Sequence, residues 1–374
     1  MATAPYKSNA TETPQIQAGR VFVYYAFDIG FGIDLDRAEQ LVSNESARSH
    51  LRRSRRTPQY FEFDPPPLKV VRDIEPVVLG SFTTRPQIEI TLYDFGGASV
   101  AFEIPIEGAL DDLIPLSNRL YDEEALPAIA RDAVDTLGRD IAAAVNRPAL
   151  SELVEDYAVY QISALNSDSR LSHAAVIDEY QSTLAAILSA EDEGLSQGQI
   201  SETLATRLSY GPNDITILDW NAALLFDDDA DDVLAVLEYT NVELLEMRLL
   251  DDRLDDALDQ AYELMTAPRW WRLLRPRRLM ARVAEMQLDG AFVFEGVNNA
   301  VKLLGDQYLA RVYQLTSQRL HLKAWDRSVI RKLDTLRDIY HKLSDMHAAR
   351  RSEALEWIII LLIAFEIGLT LSGK

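Results

Sequence analysis

Apolar and polar residues alternate along the first two hundred positions in patterns typical of strands and helices. Arg20 to Asp28 reads R-V-F-V-Y-Y-A-F-D, and its β-branched and aromatic content predicts a strand. Two further strand-like runs, 87–93 and 98–104, flank Asp94-Phe95-Gly96-Gly97 and predict a hairpin. Helices are predicted at 110–121, 123–145, 174–189 and 197–208. Together these patterns predict an α+β head over residues 20–228.

From Ala230 onward the apolar spacing becomes that of long helices. Apolar residues three and four apart recur from Val233 to Leu264, which predicts one helix of roughly 35 residues with a single apolar seam. A second seam runs from Tyr308 to Leu343, and a turn near His321 is left open. We therefore expect a long-helix, coiled-coil stem over residues 229–354.

The C-terminal stretch is apolar on every side. Trp357 to Phe365 is an unbroken run of nine apolar residues, and after Glu366 the run continues to Leu371. A helix without a polar side has to be buried by lipid or by protein. The 17 residues of 355–371 would span about 25 Å, close to the minimum for a bilayer. We expect a single C-terminal transmembrane helix, with burial of this helix in an oligomer as the alternative.

The predicted membrane anchor consists of Trp357, Ile358, Ile359, Ile360, Leu361, Leu362, Ile363 and Phe365. Ala364 and Gly368 are candidates for helix–helix contact, because small residues four apart let two helices approach closely. A basic stem leads into the apolar run, so the positive-inside rule puts the body on the cytoplasmic side. The predicted location is a membrane, as a single-pass tail-anchored protein, and the inner membrane if the source is bacterial.

The amino-acid composition excludes several classes of partner and of catalytic chemistry. The formal net charge is −22, which argues against a surface that coats nucleic acid uniformly. The chain has no cysteine, so disulfides, thiolate catalysis and cysteine-ligated metals are excluded. Residues 1–19 lack the apolar core of a signal peptide and are expected to form a disordered tail.

Charge is concentrated in neighbouring segments of opposite sign. Residues 227–263 hold 14 acidic and two basic residues, whereas 264–284 hold six arginines and no acid. The stem from Arg319 to Arg351 has nine basic and four acidic residues, a net charge of +5. Since an unpaired acidic helix would repel itself, we expect Asp251, Asp252, Asp255 or Asp259 to lie near basic residues of those segments.

An arginine–tryptophan segment is the candidate for binding an anionic surface. Its residues are Arg269, Trp270, Trp271, Arg272, Arg275, Arg277 and Arg278. Arginine beside tryptophan suits lipid headgroups or single-stranded RNA, and pairing with the acidic helix is the third alternative. A second, weaker basic cluster comprises Arg48, His50, Arg52, Arg53, Arg55 and Arg56.

Motifs that could carry catalysis have simpler interpretations. Gly194-Leu195-Ser196-Gln197-Gly198 has the spacing of a nucleophile elbow, but no strand precedes it, and Ser196 is better interpreted as a helix N-cap. The aspartates from Asp227 to Asp232 suit the start of a long helix better than a metal site. The five histidines show no zinc-ligand spacing. The sequence therefore predicts no catalytic, cofactor-binding or metal-binding residue and no enzyme.

The C-terminal run Leu355-Glu356-Trp357, followed by aliphatic residues and Glu366, resembles the end of the required-for-meiotic-nuclear-division family. Looser similarity is found in Tyr93-Asp94-Phe95-Gly96 and along the stem to Arg351. This family includes fungal proteins and a mitochondrial inner-membrane protein. The resemblance implies a membrane-anchored, oligomeric protein with an α+β head that supports organellar translation, without catalytic residues to carry over.

The function expected from these patterns is a non-catalytic, membrane-anchored oligomeric scaffold or tether. One alternative is an RNA- or ribosome-associated membrane factor that supports translation. A second is an ion-transport protein of CorA type, although its second span and Gly-Met-Asn loop are missing from the sequence. The expected partners are membrane lipid and further copies of the chain, with RNA or a ribosome as the alternative. No cofactor and no small-molecule substrate are identified.

Overall fold

The computed structural model describes residues 14–45, 52–53, 62–63, 65–166, 173–191, 194–211, 214–266, 284, 288, 290–291, 301–302 and 307–372. These residues belong to two compact units, one within Met1–Glu246 and Gly296–Lys323 and the other within Met247–Glu295 and Ala324–Lys374. The first unit contains the sheet and most of the helices, and the second contains parts of two long helices.

The strands are β1 Gln15–Asp28, β2 Gly32–Ile33, β3 Arg52–Arg53, β4 Glu62–Phe63, β5 Leu68–Asp73, β6 Val78–Leu79, β7 Phe82–Thr83, β8 Gln87–Leu92, β9 Gly97–Ala109, β10 Val145–Asn146, β11 Glu155–Asn166, β12 Arg207–Leu208, β13 Ile215–Leu218, β14 Ala222–Phe226 and β15 Val301–Lys302. The helices are α1 Leu35–Glu45, α2 Leu113–Tyr121, α3 Ala125–Asp140, α4 His173–Glu179, α5 Gln181–Ser189, α6 Gln197–Thr203, α7 Asp231–Thr266, α8 Gln307–Arg319 and α9 Leu322–Ser372.

Nine strands of the described residues form one sheet in the order β12-β13-β14-β11-β1-β9-β8-β5-β3. The pairing is antiparallel except between β11 and β14, which run parallel. The predicted strand at 20–28 is confirmed as part of β1, which begins earlier, at Gln15, inside the segment expected to be a tail. The α+β composition of the head is therefore correct.

One face of the sheet carries the main hydrophobic core. Val21, Val23 and Phe27 alternate along β1 and are each at most 3% exposed. Side chains of the helices that follow the hairpin, including Leu116 of α2 and Val134 of α3, are buried in the same cluster. We call this side the core face.

The predicted hairpin is confirmed, and its turn is tightly packed. β8 and β9 pair from Leu92 opposite Ala98 outward. Gly96 has a φ of +110°, and a Cβ atom there would lie 1.9 Å from the carbonyl oxygen of Gly30. Only glycine fits at this position, because both the backbone conformation and the neighbouring loop exclude a side chain.

Helix α7 has the predicted length but does not belong to a coiled-coil stem. Its 36 residues run from Asp231 to Thr266. Residues 233–243 are all buried, and Glu238 and Glu243 are among them. Because a two-helix seam would bury one stripe only, this part of α7 packs as a layer of the first unit. No coiled-coil stem is evident in the described part of the chain, and that prediction is wrong.

The second long apolar seam is divided between two helices. α8 ends at Arg319 and α9 begins at Leu322, and between them His321 adopts a left-handed φ of +56°. Leu309 and Val312 of α8 are buried in the first unit. The turn that the sequence left open near His321 is therefore present.

Within the second unit, acidic residues of α7 pair with a base of α9, as predicted for the stem. Lys332 Nζ lies 2.7 Å from Asp251 Oδ1 and 2.6 Å from Asp255 Oδ2. Burial lowers the pKa of Lys332, but hydrogen bonds to the two carboxylates outweigh it, so its pKa is raised. The expectation that the acidic helix uses bases of the stem is confirmed at this position.

Among the described residues, no helix is long and apolar enough to cross a membrane. The apolar run predicted as an anchor lies on α9. The structure describes its side chains at 355–365 and at Ile367. The unbroken apolar run from Trp357 to Phe365 has nine residues, fewer than the ~17 that a span needs. The predictions of a transmembrane helix and of a single-pass membrane location are thus wrong. The predicted tail anchor is wrong as well; its residues were Trp357, Ile358, Ile359, Ile360, Leu361, Leu362, Ile363 and Phe365.

Candidate functional site

The face of the sheet opposite the core face is rich in polar side chains. Tyr24 of β1 lies opposite Ala101 of β9, and Ala101 lies opposite Glu89 of β8. Lys69 of β5 lies opposite Thr91 of β8. Directly paired residues share a face of the sheet, so these side chains lie on one side. We call this side the cleft face.

The first turns of α7 lie over the cleft face. Asp231, Leu234, Ala235 and Glu238 are spaced by three, one and three residues, which places them on one side of the helix. Arg20 Nη2 of β1 lies 3.6 Å from Asp231 Oδ1, and the pKa of Tyr24 is affected by Glu238. α7 therefore runs along β1, with Asp231 at the Arg20 end and Glu238 at the Tyr24 end.

Sheet and helix enclose a cleft of about 710 Å³ between them. This volume lies within the range of about 300–1,000 Å³ that is usual for small-molecule sites. We call it the helix–sheet cleft. Its lining residues are Arg20, Phe22, Tyr24, Lys69, Val71, Arg85, Pro86, Gln87, Ile88, Glu89, Ala101, Glu103, Asp231, Leu234, Ala235 and Glu238.

Glu238 is the most buried charged group of the cleft, at 4% exposure. Burial raises its pKa above the ordinary value of a glutamate, nearby Lys69 lowers it, and Glu89 raises it further. The hydroxyls of Thr91 and Ser99 lie near the carboxyl group and favour its charged form. The net effect is a raised pKa, so the carboxyl group is held closer to its neutral form.

Polar atoms around Glu238 lack good hydrogen-bond partners. Glu238 Oε1, Thr91 Oγ1 and Ser99 Oγ are buried, and none has a partner of acceptable geometry in the described residues. Hydrogen bonding from the two hydroxyls nevertheless lowers the pKa of Glu238, and neither hydroxyl lines the cleft. Glu238 Oε1 is therefore the buried atom of the lining that lacks a well-aligned partner among the described residues, which is rare in native proteins.

Each base of the cleft has an acidic neighbour. Lys69 Nζ lies 2.5 Å from Glu89 Oε1, and Arg85 Nε lies 3.4 Å from Glu103 Oε1. Arg20 approaches Asp231 and also donates to Gln161 Oε1 at 2.9 Å. Among the described lining residues, Glu238 is thus the carboxyl group without an ion pair.

Aromatic rings form part of the wall on β1. The rings of Phe22 and Tyr24 are stacked, with centroids 6.1 Å apart and planes 9° apart. The guanidinium of Arg20 lies 5.1 Å from the centroid of Phe22. Burial raises the pKa of Tyr24 well above that of a free tyrosine, and Glu238 adds to the shift, so the phenol stays protonated. The wall therefore offers flat apolar surface beside charged groups.

A family match covers most of the first unit. Residues 18–232 match a family model described as uncharacterized protein MJ0711, N-terminal domain. The chain belongs to this family. It is also 24% identical over 225 residues to uncharacterized protein MJ0711 of Methanocaldococcus jannaschii, an alignment that covers 59% of this chain and 67% of that protein. No solved structure matches the chain.

The membership in the MJ0711 family corrects the resemblance to the required-for-meiotic-nuclear-division family, which is wrong. That resemblance depended on the tail from Leu355 to Glu366, which lies outside the matched residues. An aliphatic run after one tryptophan is expected of many apolar helices and is a weak family marker. The MJ0711 domain ends at Asp232, so it supplies the sheet side of the cleft, and Glu238 lies just beyond it.

Among the described residues, the lining of the cleft includes none of the sequence-predicted candidates. The arginine–tryptophan residues Arg269, Trp270, Trp271, Arg272, Arg275, Arg277 and Arg278 lie outside the described residues. Ala364 and Gly368 lie on α9, in the second unit. In the weaker basic cluster, Arg52 and Arg53 form β3, and the others lie outside the described residues. Ser196 caps α6 by accepting from the Gln199 amide at 3.2 Å, as predicted.

Sequence reasoning missed the cleft, although one pattern pointed to it. In β8, Gln87, Glu89 and Thr91 alternate with Ile88, Ile90 and Leu92, which indicates one polar face. No sequence pattern distinguished Glu238, since it is one of 14 acidic residues between Asp227 and Glu263. Among the described residues, no group of three or more metal-binding side chains is placed to hold a metal ion.

Proposed function

We propose that the chain is a non-catalytic binding module that holds a small polar ligand in the helix–sheet cleft. The observation that carries this proposal is the cleft, whose lining includes the buried carboxyl group of Glu238 with one oxygen that lacks a well-aligned hydrogen-bond partner among the described residues. Leaving such an atom without a partner costs about 1–3 kcal/mol. A ligand with a matching donor would satisfy this atom, whereas an apolar filling would not.

The character of the lining supports binding without catalysis. The lining contains no histidine, serine or threonine, so it holds no hydroxyl nucleophile with a histidine base. Its carboxylates at Glu89 and Glu103 are paired with Lys69 and Arg85. These groups are suited to orienting a ligand, and the aromatic wall is suited to covering it.

A thermal-shift screen of the full chain tests this function. The panel consists of small amines, carboxylic acids, sugars and nucleosides, and we expect at least one class to raise the melting temperature. Ala101→Leu fills the cleft from β9, where Ala101 is 9% exposed, and should abolish the shift. Ala128→Leu, on the exposed side of α3, is the matched control and should preserve it. A panel without any shift, or a shift that survives Ala101→Leu, would contradict the proposal.

A second candidate function is an oligomeric scaffold, and one observation favours it. Ten large apolar side chains between Leu355 and Ile367 of α9 are each 52–67% exposed. At about 100 Å² apiece they would offer roughly 1,000 Å² per chain, more than the ~800 Å² that one partner contributes to a standard interface. We propose that the same segment of a second copy covers this surface.

Light scattering on the full chain tests the scaffold proposal. Ile359 and Ile363 lie four residues apart, on one side of α9, so Asp at both positions would put two charges into the interface. We expect the unaltered chain to form a multimer at micromolar concentration and the double variant to be a monomer. A monomeric unaltered chain would contradict this candidate. RNA or ribosome binding through the arginine–tryptophan segment stays a prediction from the sequence.

A further inference from the structure

We propose that the helix–sheet cleft selects a small organic cation, with its ammonium group at Glu238 and a flat ring against Phe22 and Tyr24. This inference rests on the proposed binding function and names the ligand class. It follows from the charge balance of the lining, the unpartnered oxygen of Glu238 and the aromatic wall next to it.

The charge balance of the cleft favours a cation. The lining contains four acidic residues, Glu89, Glu103, Asp231 and Glu238, against the three bases Arg20, Lys69 and Arg85. Each base lies near one of the first three acids, which leaves Glu238 as the excess negative group. An anionic ligand would have to displace one of these acids, whereas a cation completes the pairing.

The buried carboxyl group of Glu238 favours an ammonium group in particular. An ammonium group has three N–H donors and no acceptor. Glu238 Oε1 is an acceptor of the lining without a well-aligned partner among the described residues. The hydroxyls of Thr91 and Ser99 do not line the cleft, and they favour the charged form of the same carboxyl group. A neutral ligand could fill the cleft but would leave the excess carboxyl group without a charge partner.

The aromatic wall indicates which group the ligand carries besides its ammonium group. Glu238 lies close enough to Tyr24 to raise the pKa of its phenol, and the Tyr24 ring stacks on Phe22 with centroids 6.1 Å apart. A ligand with an ammonium group at Glu238 and an aromatic ring would use both features. Phenethylamine has these parts and serves as the probe.

Binding of a cation should depend on the charge of Glu238. The groups that face this carboxyl are Lys69 of β5, Glu89 of β8 and Tyr24 of β1, together with the Thr91 and Ser99 hydroxyls. The pKa of Glu238 is raised, so part of the carboxyl population is neutral at acidic pH. Phenethylamine stays protonated over this range, and its affinity should increase as the pH rises through the pKa of Glu238.

Titration calorimetry on the full chain tests the ligand class. Phenethylamine is compared with 2-phenylethanol and phenylacetate, which keep the ring and replace the ammonium group by a neutral or an anionic group. Butylamine keeps the charge and removes the ring. We expect phenethylamine to bind at least tenfold more tightly than each of the three. Equal or tighter binding of 2-phenylethanol or phenylacetate, or no binding of phenethylamine, would overturn the inference.

Variants identify the groups responsible. Glu238→Gln should weaken phenethylamine at least tenfold while changing 2-phenylethanol less than threefold. Glu107→Gln, an exposed carboxylate of β9 outside the lining, is the matched control and should leave both affinities unchanged. Equal losses for both probes in Glu238→Gln would show a structural role and contradict the assignment. If an anion or a sugar from the thermal-shift panel binds in the cleft instead, the cation inference is wrong and the binding function stands. If no compound of the panel binds, both proposals are contradicted.

Discussion

The two faces of the central sheet differ in what their side chains do. On the core face, Val21, Val23 and Phe27 of β1 pack into a cluster of apolar residues. On the cleft face, Arg20, Phe22 and Tyr24 of the same strand line a cavity with charged groups of both signs. One strand thus contributes one set of alternate residues to the core and the other set to the lining of the cleft.

The difference separates residues that stabilise the fold from residues that line the candidate site. The core face buries apolar area, which stabilises the fold by roughly 25 cal/mol per Å². The cleft buries the Glu238 carboxyl group, and burial disfavours its charged form, which opposes stability when the group is ionised. Features that lower stability in this way are typical of functional sites.

The largest expected effect contrasts two phenylalanines on opposite faces. Phe102 of β9 is fully buried in the core, and Phe102→Ala should lower the free energy of unfolding by about 3–5 kcal/mol. Phe22 of the cleft face is only partly buried, so Phe22→Ala should cost about 1 kcal/mol or less. Urea unfolding followed by circular dichroism measures both. Equal costs would remove the distinction between the faces.

The next effect concerns the stability contributed by a buried carboxylate that has an ion-pair partner. Asp219 is 4% exposed and accepts from Arg319 Nε at 2.9 Å, while the Tyr157 hydroxyl donates to the Asp219 carbonyl oxygen at 2.9 Å. Arg319→Ala leaves the Asp219 carboxylate buried and without this partner, and should cost about 3 kcal/mol. Urea unfolding is again the measurement, with Arg311→Ala on the exposed side of α8 as the control. A cost below that of the control variant would contradict a stabilising role for this pair.

Glu238 should behave in the opposite way from Asp219. Its pKa is raised in the folded protein, so ionisation is harder in the folded than in the unfolded chain, and stability falls as the pH rises through the folded pKa. Glu238→Gln removes this loss and should raise the free energy of unfolding at pH 7. Lys69 keeps Glu89 as its partner in the variant.

The pH dependence of this gain is the control for Glu238→Gln. Near pH 4 the glutamate is largely protonated in both states, so the two proteins should be equally stable there. Thermal melts between pH 4 and pH 8 measure the difference. A variant that is less stable than the unaltered chain at pH 7 would show that the charged carboxylate is structural.

The smallest effect concerns the second unit, where ion pairs lie on helix surfaces. Lys332→Met removes contacts to Asp251 and Asp255 and should cost about 1 kcal/mol or less, because Asp255 is 59% exposed. The cost should shrink in 1 M salt, whereas Lys342→Met, at an exposed position of α9, should have no measurable effect. A cost that does not change with salt would point to packing of the lysine stem instead of charge.

The sequence alone predicted the parts of the fold with strong local patterns. The strand at Arg20 to Asp28 and the Asp94–Gly97 hairpin follow from β-branched residues and turn glycines, and both are present. The long helix from Asp231 follows from its apolar spacing. These elements are encoded by neighbours in the chain, so a local pattern is sufficient.

Long-range contacts explain what the sequence could not predict. The acidic residues of α7 predicted pairing with basic segments, and nothing in their pattern indicated that Glu238 and Glu243 are buried. Tyr313 Oη donates to the Glu243 carboxylate at 3.0 Å, across 70 residues of chain. The cleft likewise joins β1, β5, β8, β9 and α7, so its composition depended on a strand order that periodicity does not give.

The most direct test of Glu238 as a recognition group of the helix–sheet cleft is the titration of its carboxyl carbon by NMR. Protein labelled with ¹³C in its glutamate carboxyl groups is compared with Glu238→Gln, so that the missing signal identifies Glu238. We predict a pKa above that of an ordinary glutamate in the free protein and a lower pKa when phenethylamine is bound. An ordinary pKa in the free protein, or one that phenethylamine leaves unchanged, would contradict the account.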